Sequence, residues 1–370
     1  MRSDGRAHCP GRCGMSELRS LADDIRRFRS DSTSPAYGEH IDEFSKAVGL
    51  DDSVLGMAHR HELGNGSSPV SMTREPVHVG MGSFWLSQIT LAMDDGSELM
   101  LMEKAVDAAG PEALFWASAV VRNYQLAGRH FTSIAPLFSI DAEPLTILYL
   151  PYFEVVHRTQ PENKRNFRSD LDVLVRAVAE FNASNIVPAS EAAPAVRRIV
   201  ATRKDAPSIR DIQKGLGVQS RHAAQLLRTA CEHIDARWDE LQQMYDTVPA
   251  GLCHNDIGPG NAIVDSASEH VHLLDFEKAG VAPIGSDMHT VLRWGGRSLE
   301  HEEEAERLLS LYAEEVLRLR PEVTLSQVRV GAWVTFFMRY SSIGKWRSAR
   351  NLDSYSLALL KAAELLDERG

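Results

Sequence analysis

Cysteine is scarce, with four in 370 residues, too few for the disulfide framework of a small secreted domain. No apolar run reaches the roughly 18 residues that a membrane helix needs. The opening stretch MRSDGRAHCPGRCG carries Arg2, Arg6 and Arg12 with no apolar segment behind them, so it lacks the plan of a secretory signal. Basic charge is in deficit: 40 Lys plus Arg stand against 51 Asp plus Glu, a formal net charge of −11. A nucleic-acid binder needs the opposite balance, because phosphate backbones demand a basic face. Internal repeats and low-complexity tracts are also absent. The expectation is a cytoplasmic protein with neither a nucleic-acid nor a membrane partner. Its composition, 44% hydrophobic and 25% charged, is that of an ordinary globular chain, and its length allows two or three domains.

Residues 1–14 have no periodicity and read as disordered. Leu18, Leu21, Ile25 and Phe28 follow at helical spacing, and a short second helix is expected over 41–48. Together these form an N-terminal extension over 1–60. From about Val70 the pattern turns to strands. Residues 84–93 and 98–106 flank Asp94-Asp95-Gly96-Ser97, which contains a hairpin-type Asp-Gly pair. Pro111 opens a helix over 112–126, and the apolar runs 133–140 and 145–150 flank the turn 141–144. Residues 61–151 therefore read as a small sheet domain with one helix. Beyond Pro151-Tyr152 the helical pattern dominates, over 168–181, 191–202, 221–244, 302–319, 326–339 and 354–366. One strand pair, 262–264 with 270–274, interrupts it. Residues 152–370 thus form a larger helical domain, and the whole is an α+β, two-lobe plan.

The chemistry concentrates in GLCHNDIGPGNAIVDSASEHVHLLDFEKAG, residues 251–280. His254-Asn255-Asp256 is followed five residues after the Asp by Asn261, and then by Asp275-Phe276-Glu277. Phosphoryl transfer from ATP asks a protein mainly to position groups and neutralise charge. A loop Asp such as Asp256 suits the acceptance of a hydroxyl proton. Asn261 offers an amide oxygen and Asp275 a carboxylate, the hard donors that Mg²⁺ prefers. Both stand at the ends of one predicted hairpin. His254 reads as a brace for the loop rather than a base. The competing reading is a surface loop built of ordinary turn residues.

Upstream, the same chemistry asks for a strand lysine on the nucleotide phosphates and a helix glutamate to orient it. Lys104, near the end of the 98–106 strand, and Glu112, opening the next helix, have those places. A plain edge-strand lysine and a first-turn acid favoured by the helix dipole are the alternatives. Gly80-Met81-Gly82-Ser83 can present backbone N–H groups to phosphates, or can be a simple β-turn.

These residues resemble the aminoglycoside phosphotransferase and choline kinase superfamily of protein-kinase-like small-molecule kinases. The likeness is clearest in Cys253-His254-Asn255-Asp256, Asn261, Leu274-Asp275-Phe276-Glu277 and Gly285-Ser286-Asp287. It spans about residues 75–370 and is specific over 251–290. Asn255, where many antibiotic-phosphorylating members carry Gly, and the Asp275-Phe276-Glu277 run are similar to the choline and ethanolamine kinase version. The resemblance implies a protein-kinase-like fold with ATP and Mg²⁺ as cofactors. It implies Asp256 as catalytic base, Asn261 and Asp275 as Mg²⁺ ligands, and Lys104 on the phosphates. Asp287 would be a structural acid hydrogen-bonded to the catalytic loop, and residues 150–153, with Leu150 and Tyr152, the hinge against adenine. The N-terminal 60 residues and the glycine loop depart from the family pattern.

The expected activity is transfer of the γ-phosphate to a hydroxyl of a small molecule. The acidic balance suits a cationic acceptor, an amino alcohol or an aminoglycoside. Trp294, Trp333, Phe336, Phe337, Tyr340 and Trp346 crowd the last third and suit a cation–π pocket, but four of them have the spacing of a helical core. Glu300 to Glu304 reads first as a solvated helix start. Cys253 beside His254 reads as a buried apolar residue rather than a thiol nucleophile, since chain neighbours rarely face each other. A catalytically inert kinase-like nucleotide-binding or scaffold protein is the alternative from another class. Acceptor identity, ATP against GTP and oligomeric state have no signal in the sequence.

Overall fold

The computed structural model describes residues 6–8, 14–28, 34–77, 83–122, 124–152, 170–187, 221–294 and 302–340. In chain order the first elements are β1 (Arg6–His8), α1 (Met15–Phe28), α2 (Pro35–Val48), α3 (Leu50–Arg60), β2 (Pro69–Pro76), β3 (Trp85–Met93), β4 (Glu98–Asp107) and α4 (Pro111–Arg122). Then come β5 (Phe131–Ser133), β6 (Phe138–Ala142), β7 (Leu145–Pro151), α5 (Leu171–Ser184), α6 (Arg221–Ala236), α7 (Trp238–Thr247) and β8 (Ala250–Cys253). The last are β9 (Ala262–Asp265), β10 (His270–Leu273), β11 (Gly280–Pro283), α8 (Met288–Trp294), α9 (Glu302–Leu319) and α10 (Leu325–Tyr340). The architecture is α+β. No helix among the described residues is long and apolar enough to cross a membrane. The chain divides into two compact units, one of Met1–Tyr124 with Ile134–His157, the other of Gln125–Ser133 with Arg158–Gly370.

The first unit is a six-stranded sheet in the order β1-β6-β7-β4-β3-β2, antiparallel except for the β1–β6 pair. β3 alternates buried and half-buried residues along its length, the period-2 pattern of a strand with one face on a core. Trp85, Ile89, Leu91 and Met93 from that face pack with Leu18, Ile25, Tyr37, Phe44, Val54 and Met57 of α1–α3 in one continuous core. The N-terminal helices are therefore the backing of this sheet, not a separate appendage. α2 begins at Pro35, earlier than the expected 41–48, with the proline at its first positions. It ends at Gly49, whose φ of 62° is the left-handed stop that glycine supplies, and α3 starts at the next residue. The sequence reading missed α3, although Leu50, Val54, Met57 and Ala58 are its buried stripe. Arg6–His8, in a stretch read as disordered, adds a short edge strand; three residues are too few to display a period.

Successive side chains on β4 point to opposite faces of the sheet. Glu103 faces the helix-backed core, and Lys104 faces the other side together with Met102 and its partners Leu148 and Leu150 on β7.

The second unit is built around α5, most of whose residues from Leu174 to Ala183 are buried. Two small sheets frame one loop and one turn. β8 pairs antiparallel with β11, and β10 pairs antiparallel with β9 and parallel with β5. The expected strand 133–140 is thus two strands, Phe131–Ser133 in this unit and Phe138–Ala142 in the other. The expected helix 221–244 is likewise two, broken at Arg237. The helices expected over 191–202 and 354–366 lie outside the described residues.

Candidate active site

In the first unit, β4 and the first turn of α4 bring Lys104 and Glu112 together. Lys104 Nζ lies 2.7 Å from Glu112 Oε2, with side chains only 10% and 5% exposed. A buried ammonium keeps its charge only with such a partner. Gly80, Met81 and Gly82 lie outside the described residues, but their flanks are β2 and β3. Val77 N–H donates to Leu86 O at 2.8 Å, and Phe84 N–H to Ala105 O at 2.8 Å. Ser83 is buried beside Phe84. Leu150 lies on β7 opposite Met102, and Tyr152 follows the strand end, half-buried. Phe153 lies outside the described residues.

In the second unit, β8 ends at Cys253 and β9 begins at Ala262, so both ends of the loop 254–261 are tied to strands. β10 ends at Leu273 and β11 begins at Gly280, which fixes the turn carrying Asp275 in the same way. The two are stitched directly, because Leu274 N–H donates to Asn261 O at 2.9 Å. Asn261 and Asp275 therefore stand at adjoining rungs, Asp275 one residue past the rung that Asn261 closes.

Asp287 is fully buried beneath the loop. Its Oδ2 accepts from His254 N–H at 2.8 Å and its Oδ1 from Asn255 N–H at 2.6 Å. Asn182 Nδ2 donates to the same carboxylate at 2.9 Å and to Leu252 O at 2.8 Å. Tyr312 O–H in turn donates to Asn182 Oδ1 at 2.7 Å, and burial holds its hydroxyl pKa well above the usual value. A carboxylate with three N–H donors is a stable buried anchor. The loop meets it by turning at Asn255, whose φ of 61° is a left-handed conformation that Asn tolerates. Asn182 and Tyr312 escaped the sequence reading. A polar residue in an otherwise apolar stripe, Asn182 between Phe181 and Ala183, was the available signal.

His254 is buried, its Nε2–H donates to Leu274 O at 2.7 Å, and its ring lies 4.8 Å from that of Phe276. Neither nitrogen is at hand for proton transfer. Cys253 is buried too, and burial with the nearby Asp287 charge pushes its thiol well above the usual pKa. A neutral, enclosed thiol is no nucleophile.

The Asp256 side chain is 40% exposed. Lys278 Nζ lies 2.7 Å from its Oδ2. Asn261 Nδ2 donates to Asp256 O at 3.0 Å and to Oδ2 at 3.3 Å. The amide nitrogen of Asn261 is thereby engaged, which leaves Oδ1 as its outward donor. With the Asp275 carboxylate this is a pair of hard oxygen donors, a chemistry that fits Mg²⁺. Asp275 holds φ 59°, ψ 77°, and the following Phe276 is buried against His254 and Phe181. Lys278 was another residue that sequence reasoning missed.

Trp333, Phe336 and Phe337 are buried in α10, as their spacing predicts for a core. The Trp294 and Tyr340 side chains and Trp346 lie outside the described residues. Glu303 is exposed, and Glu304 is paired with Arg307 at 2.8 Å.

No curated protein matches the sequence significantly. Among solved structures, an ethanolamine kinase from Plasmodium vivax matches with a TM-score of 0.50 at 10% identity, over 98% of each chain. A macrolide 2'-phosphotransferase type I matches with a TM-score of 0.37 at 17% identity, over 84% of this chain and 96% of that one. The first likeness shows a shared fold, that of protein-kinase-like small-molecule kinases. Residues 122–322, more than half of the sequence, match the phosphotransferase enzyme family (APH), and the chain belongs to that family, within the aminoglycoside phosphotransferase and choline kinase superfamily.

Proposed function

We propose that the protein transfers the γ-phosphate of ATP, as a Mg²⁺ complex, to a hydroxyl of a small molecule. The observation that carries this reading is the state of Asp256. It is an accessible carboxylate on a strand-anchored loop, its contacts falling on Oδ2, with Asn261 and Asp275 at adjoining rungs beside it. In this reading Asp256 Oδ1 accepts the proton of the acceptor hydroxyl as its oxygen bonds to the γ-phosphorus. The bond from that phosphorus to the β–γ bridging oxygen breaks, and ADP leaves. Lys104, held by Glu112, binds the α- and β-phosphates; Asn261 Oδ1 and Asp275 hold the metal. Mg²⁺, when bound, neutralises charge on the phosphate oxygens. Leu150, half-buried on the sheet face of Lys104, and Tyr152 after it lie against adenine. Asp287 acts only by holding the loop. The excess of acidic residues supports a cationic acceptor, an amino alcohol or an aminoglycoside.

The test combines a thermal melt in ATP, with and without Mg²⁺, with ADP release over a panel of amino alcohols and aminoglycosides. Ligand at a hundred times its dissociation constant stabilises a fold by about 2.7 kcal/mol. A Mg²⁺-dependent shift with acceptor-dependent ADP release is the expected result. A shift with no release from any acceptor favours the inert nucleotide-binding alternative. No shift with ATP in either form removes ATP from the reading.

A further inference from the structure

The turn Phe276–Lys278 ends on a cation that faces the carboxylate of the catalytic loop. Lys278 Nζ lies 2.7 Å from Asp256 Oδ2, with side chains 48% and 40% exposed. An ion pair that open contributes under about 1 kcal/mol to stability, so stability is a poor account of its presence. Its geometry suggests another role. Lys278 and Asn261 come from different segments and converge on one oxygen of Asp256, at 2.7 and 3.3 Å. Two donors on Oδ2 fix the rotation of the carboxylate and reserve Oδ1 for a third partner. The backbone behind Lys278 is itself held. Phe276 is buried against His254 and Phe181, and Ala279 N–H donates to Phe276 O at 3.0 Å. The same short turn begins directly after Asp275, so one rigid piece of chain carries both the carboxylate offered to the metal and the cation on Asp256.

We propose that Lys278 is a positioning residue for Asp256. It acts through that carboxylate, orienting Oδ1 toward the acceptor hydroxyl, and does not itself touch the transferred group. This rests on Asp256 being the proton acceptor. Misplacing a reacting group by about 1 Å costs on the order of 10²-fold in rate. The Lys278→Met variant is therefore expected to lose roughly 10- to 100-fold in kcat, with the KM for ATP little changed. Lys278→Arg, which keeps a donor cation, recovers most of the loss.

The experiment measures ADP release from Mg·ATP by the full chain, with choline, ethanolamine or kanamycin as acceptor and water as the default acceptor. It compares the parent, Lys278→Met, Lys278→Arg, Asp256→Asn and the Lys278→Met/Asp256→Asn double variant, after melts confirm that all five fold. If Lys278 works through Asp256, its loss adds nothing in the Asp256→Asn background. Multiplied losses in the double variant overturn the proposal in favour of direct contact with the phosphate. So does a Lys278→Met defect confined to the KM for ATP, or full activity of Lys278→Met in an active parent. A parent that releases no ADP with any acceptor overturns the phosphotransfer reading itself and takes this proposal with it; the two failures are thus distinct.

Discussion

Glu103 and Lys104 are chain neighbours with opposite surroundings. Glu103 is fully buried on the helix-backed face and accepts from Arg74 Nε at 2.7 Å, Arg74 Nη2 at 3.1 Å, Trp85 Nε1 at 2.8 Å and Tyr149 O–H at 2.6 Å. Burial opposes the Arg74 charge, but the Glu103 carboxylate outweighs it and holds the guanidinium pKa above its ordinary value. Burial, then Glu103, raises the Tyr149 hydroxyl, which stays protonated and donating. Breaking a buried pair from one side strands the remaining charge and costs about 3–5 kcal/mol. Arg74→Met is expected to lose that much in chemical denaturation, whereas Arg74→Met/Glu103→Leu recovers a good part of it. An unchanged midpoint in Arg74→Met means that the network contributes nothing. None of this was legible in the sequence. Asp256, Asn261, Asp275 and Lys104 stood out because phosphoryl transfer dictates such residue types at such places. Lys278, which pairs with Asp256, and Asn182, which holds Asp287 and is itself held by Tyr312, lie well apart in sequence from what they touch, and only the fold reveals the pairing.

The elements that frame the loop 254–261 are short. β8, β9, β10 and β11 have four residues each, too few for alternation to separate them from turns. The pair 262–264 with 270–274 was legible through the turn between them; β8 and β11 pair across the 26 residues between Cys253 and Gly280 and left no local signal. α5 packs against β8 and β10, and α10 meets the chain directly after β11. A Cβ on Gly331 would lie 2.0 Å from Ile284 O, and one on Gly285, at φ +96°, would lie 2.3 Å from Val328 O. Backbone meets backbone here, two residues from Asp287, and no flexible side chain can yield. Gly331→Ala is therefore expected to cost about 1–3 kcal/mol or more, as overpacking does, and to lower turnover by shifting the Asp287 anchor. Gly38→Ala in α2 is the contrast. Nothing lies within 4 Å of the methyl group that alanine would place there, and replacing a mid-helix glycine gains about 0.5–1 kcal/mol. Melts of the two variants that shift in the same direction would contradict this account of the α10 contact.

At the scale of the whole molecule, the two-lobe α+β plan was readable because it depends on long stretches, where hydrophobic period changes from 2 to 3.6 and stays changed. The place of the first 60 residues was not, because it depends on which face of a sheet they cover. α1–α3 cover the face opposite Lys104, so they back the sheet and leave the lysine side to the nucleotide in the proposed reaction. The surplus of 51 acidic over 40 basic residues is likewise a property of the entire chain, and its consequence is testable without knowing the pocket. A net negative field draws cations inward over distances set by the Debye length, about 30 Å at 0.01 M salt and about 8 Å at 0.15 M. For a cationic acceptor, kcat/KM is expected to fall as salt rises across that range. The slope should steepen from singly charged choline to a polycationic aminoglycoside, for which a loss of about tenfold is the scale of electrostatic steering. A neutral alcohol of similar size should change little. If choline, the aminoglycoside and the neutral alcohol respond alike, the acidic balance has no part in acceptor capture, and selectivity lies wholly in contacts made after binding.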